Sequence, residues 1–554
     1  MTVPGSPAPA RGNPTDRDAG NPDDAPATAP RNGPGGHHPA APTTEPHPSA
    51  QTNPTGSATF SVRRIRLVGL VGSLLLALGS LGAGALPVYD PVARVPVLGA
   101  LRRGTGPEVA LGCVYAGLAV LAMTWLYLGR EVRRNTPGTG PGDLLRVAAL
   151  WAAPLLLAAP LFSRDMYSYA AQAQLTHHGL DPYSNGPAAL PGPFLDEVQR
   201  MWVDTPAPYG PLWLILGALV AGVVGQHVLL TVFTMRLLAV AGTVLIAVFM
   251  PRLARHFGVN PSVALWLALL NPLVLIHFVG GGHNDALMLG LVVAGLWLAL
   301  TATTERRLVG AVVVVTLAVL VKAPAAFAVA FLAPIWAVRT NHNLAGRTVG
   351  RHRRWLWPTA KVAVVSLGTF AVVTLASGLG TGWTRQLSTP GAVVNWLSVP
   401  TGLGMLANGV RHIFGPVEDG QALIDSLRLV GKVLSLAAAA AIWGWSWRGR
   451  PVRWLAVTLT IVVMFAPVVQ PWYLLWPLVL AAVTPLPDRV RTVAAGVCVF
   501  LSLLITPQGA TLFNMAAPVV TTGLAVIVAT YVTLAREPQV DPLPAPAGTA
   551  LEQR

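Results

Sequence analysis

From about residue 65 to residue 535 the chain repeats one pattern, an apolar run approaching or exceeding the length of a membrane-crossing helix followed by a short polar joint. Read as helices, the runs fall at about 65–87, 108–128, 146–162, 228–250, 260–280, 284–303, 308–322, 324–338, 358–380, 421–446, 453–469, 472–485, 492–507 and 516–535. This predicts an all-α polytopic membrane protein, a bundle of about fourteen transmembrane helices, because in lipid a helix satisfies its own backbone N–H and C=O groups. Residues 211–225 are also apolar but short. Counting them as a crossing would reverse the sidedness of everything that follows, so they are read as a re-entrant or interfacial segment. The first run follows Arg63, Arg64 and Arg66 and is long enough to span, which suits an uncleaved anchor better than a secretory signal.

The ends break the pattern. In residues 1–62 Pro and Gly make up roughly a third of the positions and no apolar period appears, the composition of a disordered tail. A second short tail is expected at 537–554, leaving 63–536 as the membrane domain. His37 and His38 lie in the Gly/Pro tract and read as solvated residues, not metal ligands.

Composition agrees, with 53% hydrophobic and 11% charged residues and a mean hydropathy of +0.56. A soluble protein is excluded. Cys113 and Cys498 both lie inside predicted spans, so neither a disulfide framework nor a cysteine metal site is expected. The formal charge of +15 carries no nucleic-acid signal, since the arginines gather in short joints and act as a topology signal. With the N-terminal tail inside, the clusters at Arg130/Arg133/Arg134, Arg252/Arg255, Arg306/Arg307, Arg347–Arg354, Arg448–Arg453 and Arg489/Arg491 all become cytoplasmic. The exterior then receives 163–210, Gly280–Asp285, Lys322, 381–420 and Gln470–Trp472. Arg94, Arg102 and Arg103 count against this orientation.

The exterior segments hold the unusual chemistry. If Ser163 caps a helix, Asp165, Ser168, Tyr169, Gln172 and Thr176 follow at spacings of three and four, giving one polar face that opens with a carboxylate. Such a face could grip a sugar, and Asp165 could take a proton as a general base. It could equally complement the helix N-terminus or pair with Arg164. His177 and His178 precede Gly179 at an expected helix end, where a cation suits the dipole. Asp181-Pro182-Tyr183 and Pro206–Gly210 are turn signals, with Tyr183, Tyr209, Trp202 and Asp204 as candidate carbohydrate contacts.

Gly280-Gly281-Gly282-His283-Asn284-Asp285 joins two runs, with Asn284 or Asp285 either capping the next helix or touching substrate. His283, Asp285 and Asp165 are too scattered for a metal site to be expected, and no cofactor is expected either. Arg236 lies within an apolar run, where a charge is costly enough to be functional by default. Lys322 sits between two tightly joined runs, where it could also snorkel. Arg236 and Lys322, with Arg385 and Arg411 in 381–420, are candidate phosphate partners. Gln470-Pro471-Trp472-Tyr473 and Trp476 read first as an aromatic belt.

The motifs SRDMYSYAAQ, GLDPYSNGP, TPAPYGPLW, NPLVLIHFVGGGHNDALM and QPWYLLWP, in this order, resemble the actinobacterial polyprenol-phosphomannose-dependent alpha-1,6-mannosyltransferases of the MptB type, membrane glycosyltransferases of the GT-C class. The similarity runs from about residue 60 to 536 and is most specific at Asp165 and His283-Asn284-Asp285. It implies a GT-C-like bundle in the plasma membrane whose first large exterior loop opens with an acidic residue needed for catalysis, here Asp165, which would deprotonate the acceptor hydroxyl. It also implies transfer of mannose, with inversion, from polyprenyl phosphomannose to a lipid-anchored alpha-1,6-mannan of lipomannan or lipoarabinomannan type. Arg164, Tyr169, Gln172, Tyr209, Arg236, His283, Asn284, Asp285, Lys322, Gln470 and Trp472 are the expected substrate-binding residues. A transporter or flippase of a lipid-linked sugar is the alternative that the number of spans allows.

Overall fold

A computed structural model describes residues 61–341, 351–504, 506–508 and 523. The expectations for both tails and for the run at 516–535 lie outside the described residues. Within them every regular element is helical. The order is α1 Val62–Ala83, α2 Gly106–Arg133, α3 Pro141–Leu156, α4 Asp165–His177, α5 Pro211–Val224, α6 Val228–His256, α7 Pro261–Ala268, α8 Asp285–Leu300, α9 Glu305–Val319 and α10 Ala326–Asn341. Then come α11 Arg351–Ser377, α12 Val399–Phe414, α13 Gly420–Ser446, α14 Pro451–Phe465, α15 Leu475–Ala481 and α16 Asp488–Ser502. Proline opens α3, α5, α7 and α14 at the position where a missing N–H costs nothing. Asn260 and Ser398 cap α7 and α12 with their side chains.

By length and apolarity six described helices can cross a membrane: α1, α2, α6, α13, and the stretches Ala323–Thr340 and Arg354–Ser377. A bent pair, Val274–Gly280 with Asp285–Leu300, makes a seventh if taken as one span. This is half of the fourteen expected. One expected run, 516–535, lies outside the described residues, four form helices of only 15 or 16 residues (α3, α9, α14 and α16), and the rest of the difference arises where polar or proline residues divide an apolar run. The run expected at 260–280 breaks at Asn271-Pro272 into α7 and a π-helical turn, Val274–Gly280. The run at 472–485 becomes the short turn Pro471–Leu474 and the seven-residue α15. The segment at 211–225 forms the fourteen-residue α5. It lies along α4, and Gln174 at the end of α4 donates to the Gly225 carbonyl at its close.

The core runs through the middle of the chain. Residues 261–290 are buried without exception, and they contain Asn271, His277, His283, Asn284 and Asp285. Close helix contacts hold this core. Gly72 of α1 and Gly117 of α2 face each other's backbone, as do Gly242 of α6 and Gly290 of α8, and a Cβ at any of these would collide with main chain. Trp125 and Trp266 stack 5.1 Å apart, each indole N–H donating to the other's carbonyl at 2.8 Å. This reciprocal pair ties α2 to α7 and satisfies two indole donors in a dry interior. Two of the three arginines that opposed the expected sidedness are held locally: Arg102 pairs with Asp90 and donates to Leu81, and Arg103 donates to Ala93.

Candidate active site

The turn before α4 is the most constrained place near the site. Phe162 has φ +60°, a left-handed conformation that costs a bulky residue about 1–3 kcal/mol. Its N–H donates to the Pro507 carbonyl at 2.9 Å. Ser163 Oγ accepts the Asp165 N–H at 3.0 Å, bracing the turn, while the cap position itself falls on Arg164 and carries no side-chain cap bond. The turn delivers the Asp165 side chain into a cavity of about 580 Å³.

Of the expected residues, Arg164, Asp165, Gln172, Tyr209, Gln470 and Trp472 line this cavity, together with Ser168 and Trp202. An apolar part of the wall is formed by Ala392, Val393, Val394 and Val468. Ser168 Oγ, Gln172 Oε1 and Trp472 Nε1 have no hydrogen-bond partner within the protein. Unpartnered polar atoms on residues that line a cleft, among aromatic rings, suit a ligand bearing hydroxyl groups.

A buried layer lies behind Asp165. His283 Nδ1 is 3.4 Å from Asp165 Oδ2, and the His283 ring is stacked on Trp472 with centroids 3.9 Å apart. Burial alone would raise the Asp165 pKa. His283, the charge of Lys322 and the Ser163 hydroxyl outweigh burial and hold the carboxyl below its ordinary value. Lys322 Nζ bonds Asp285 Oδ2 at 2.7 Å and faces the rings of Tyr209, Tyr473 and Trp476 at 5.3–5.9 Å. Trp476 donates to the other Asp285 oxygen at 2.7 Å. Tyr169 donates to Asn284 Oδ1 at 3.3 Å. Burial, helped by nearby carboxylates, keeps the Tyr169 and Tyr209 phenols well above their usual pKa and therefore neutral.

Several expectations change. Asn284 makes no side-chain cap, since its amide oxygen turns to Tyr169. Lys322 does not snorkel, because Asp285 and three rings hold its ammonium inside. Trp472 and Trp476 are each 5% exposed, packed into the site and not displayed as a belt. Tyr169, His283, Asn284, Asp285 and Lys322 stand behind the cavity and do not line it. Arg236 is not on it either. Its guanidinium is buried and donates at 2.7 Å to the Leu156 and Ala158 carbonyls at the C-terminal end of α3, where a cation complements the helix dipole. Asp165, His283 and Asp285 do not converge as metal ligands, and no group of three His, Cys, Asp or Glu able to hold a metal occurs among the described residues.

Outside the site proper, Asp181 makes its own turn, accepting from Tyr183 N–H and the Ser184 hydroxyl. His178 meets the Gln174 carbonyl at the end of α4. Tyr183, Asp204, Arg385 and Arg411 stay off the cavity. One buried acid carried no sequence signal. Glu197 accepts the N–H groups of Val88 and Tyr89 and approaches Arg164 at 3.4 Å. Burial raises its pKa against the pull of those bonds. It fixes the guanidinium that forms part of the cavity rim.

The family model for the N-terminal domain of alpha-(1→6)-mannopyranosyltransferases matches residues 66–338, and that for the MptB C-terminal domain matches 400–535. Alpha-(1→6)-mannopyranosyltransferase A of Mycobacterium tuberculosis is 36% identical over 451 residues, 80% of this chain and 84% of that protein. The chain belongs to the alpha-(1→6)-mannopyranosyltransferase family. Other members include enzyme A of Corynebacterium glutamicum, 32% identical over 86% of this chain and 99% of its own length. Enzyme B of the same organism is 29% identical over 77% of this chain and 74% of its own length. No solved structure matches the chain. A membrane mannosyltransferase accounts for the apolar helices and the carboxylate-bearing cavity together, and membership of this family sets the transporter alternative aside. The cavity draws on both matched stretches, Asp165 and Tyr209 from the first and Val468, Gln470 and Trp472 from the second.

Proposed function

We propose that this mannosyltransferase works at the exterior face of the plasma membrane, moving mannose from polyprenyl phosphomannose to a lipid-anchored alpha-1,6-mannan with inversion of the anomeric centre. The observation that carries this reading is Asp165, a carboxylate held below its ordinary pKa on a strained turn and lining a cavity with both polar and apolar side chains. Asp165 accepts the proton of an acceptor hydroxyl. The freed oxygen attacks the anomeric carbon, and the bond from that carbon to the phosphate oxygen breaks with its electron pair leaving on the phosphate. Attack and departure on opposite faces invert the centre.

Arg164 is the basic side chain among those lining the cavity, and we assign it the departing phosphate, whose developing charge a guanidinium suits. Lys322 adds positive charge from behind Tyr209 and Tyr473, and Arg236 serves the end of α3. His283 is a positioning residue that holds the Asp165 carboxylate. Ser168, Gln172 and Trp472 supply free polar atoms for sugar hydroxyls. With the basic joints in the cytoplasm, the cavity faces outside. A lipid-borne donor fits the apolar wall, which a water-soluble nucleotide sugar would leave unused.

Purified protein in nanodiscs tests this with polyprenyl phosphomannose and GDP-mannose as competing donors and a mannan acceptor. Linkage analysis should find a new alpha-1,6 bond with the lipid donor alone. Efficient transfer from GDP-mannose and none from the lipid would refute the proposal.

A further inference from the structure

Arg428 is the ninth residue of α13, a helix long and apolar enough to cross a bilayer, yet its side chain is only 10% exposed. A buried charge in such a helix is expensive and calls for a named partner. Its partners are mostly not carboxylates. Nε donates to Thr401 Oγ1, Nη1 to the Gly391 carbonyl and Nη2 to the Val393 carbonyl, each at 3.0 Å. Asp425, one turn earlier, is 3.4 Å from Nη1 and more than half exposed, so it is a weak counter-charge.

The two carbonyls flank Ala392 in the stretch that makes the cavity's apolar wall, and Val393 and Val394 lie beyond the end of the 3₁₀ turn Gly382–Ala392. The same wall is laced to a second segment of chain beside it. Asn395 Nδ2 donates to the Val469 carbonyl, Ser398 to that of Ala466 and Thr401 to that of Pro467. Val468 and Gln470 of that second segment also line the cavity. Arg428 is the point at which this lacing is anchored to a membrane helix.

We propose that Arg428 is a positioning residue for the apolar wall and thereby sets affinity for the prenyl portion of a lipid-linked donor. The inference rests on the lipid donor proposed above. A planar guanidinium reaches three acceptors in fixed directions, whereas a lysine ammonium on a flexible stem does not reproduce that fork. Loss of Arg428 loosens the wall without touching Asp165 or the polar face. It should therefore weaken donor binding and leave the chemical step intact.

The test measures donor and acceptor saturation separately in nanodiscs. Arg428→Gln and Arg428→Lys should raise KM for polyprenyl phosphomannose roughly tenfold, with kcat within about threefold and acceptor KM unchanged. Val393→Ser, on the wall itself, should shift donor KM in the same direction, and it stands as the test if Arg428→Gln does not fold. A fall in kcat at unchanged donor KM, equal rises in donor and acceptor KM, or an unaltered Val393→Ser enzyme would overturn the assignment. A wild type unable to use the lipid donor would overturn the proposed function and this inference with it. A lipid-using wild type with an unaffected variant would overturn the inference alone.

Discussion

Asp165→Asn separates a catalytic carboxylate from one that merely starts a helix. The substitution keeps size and leaves the backbone bond to Ser163 in place, but it removes the charge facing His283 and the ability to accept a proton. Loss of a general base lowers turnover by about a hundredfold or more, equivalent to about 2.7 kcal/mol of transition-state stabilisation. The folding cost is smaller, because a carboxylate in the first turn of a helix contributes about 0.3–1 kcal/mol. Turnover per folded molecule should therefore collapse while thermal unfolding moves little. The assay is transfer of labelled mannose from the lipid donor in nanodiscs, normalised to folded protein. An Asp165→Asn enzyme within a fewfold of wild type would refute the role of Asp165. The pH profile gives a second check. The folded-state pKa of Asp165 is depressed, so its contribution to stability is present above the unfolded value of about 3.9 and fades as pH falls through the folded one. The acid limb of activity should accordingly lie below the ordinary carboxylate range. His283→Asn removes a lowering influence and should move that limb upward. A limb unmoved by this change would show that His283 does not act on Asp165.

Three further outcomes follow from the buried layer and the helix ends. Asp285→Asn strips Lys322 of its counter-charge and should destabilise the fold by about 3–5 kcal/mol, with the Asp285→Asn/Lys322→Met double variant recovering part of the loss in thermal unfolding. Arg236→Met removes the donor to two buried carbonyls and should cost about 1–3 kcal/mol per carbonyl left unpaired. Its donor KM should stay at the wild-type value, and a raised one would return Arg236 to the phosphate. Cysteines placed at the exposed positions Ala188 and Thr303, in a chain with Cys113 changed to Ser, should react with an impermeant reagent from opposite sides of the membrane. Labelling of both from the same side would refute the proposed topology.

The membrane class and the polar face of α4 were legible because both are local patterns: apolar run lengths in the first case, a three-and-four spacing in the second. Six of the expected site residues reach the cavity. What the sequence hid is tertiary. Asn284 looks like a helix cap, yet a tyrosine more than a hundred residues earlier takes its amide oxygen. Trp472 and Trp476 have the composition of an interface belt and are consumed by His283 and Asp285. Glu197 and Arg428 carry no motif, and their importance comes from main-chain groups brought to them by distant segments. The expected helix boundaries gave way at Asn271-Pro272 and at Pro471, where apolar composition continues while the helix stops. Arg236 shows the converse, a buried charge whose partners in the structure are carbonyls at the end of another helix.

The bond from Phe162 N–H to the Pro507 carbonyl bears on how the enzyme is made. Every side chain on the polar face of α4 leaves the ribosome in the first third of synthesis, but the acceptor that pins the turn before Asp165 emerges only after α16 has been translated. A nascent chain halted before that point holds Asp165 without the bond that pins the turn ahead of it. With Asp165 as the base proposed above, a chain terminated before Pro507 should transfer mannose less efficiently than the full chain.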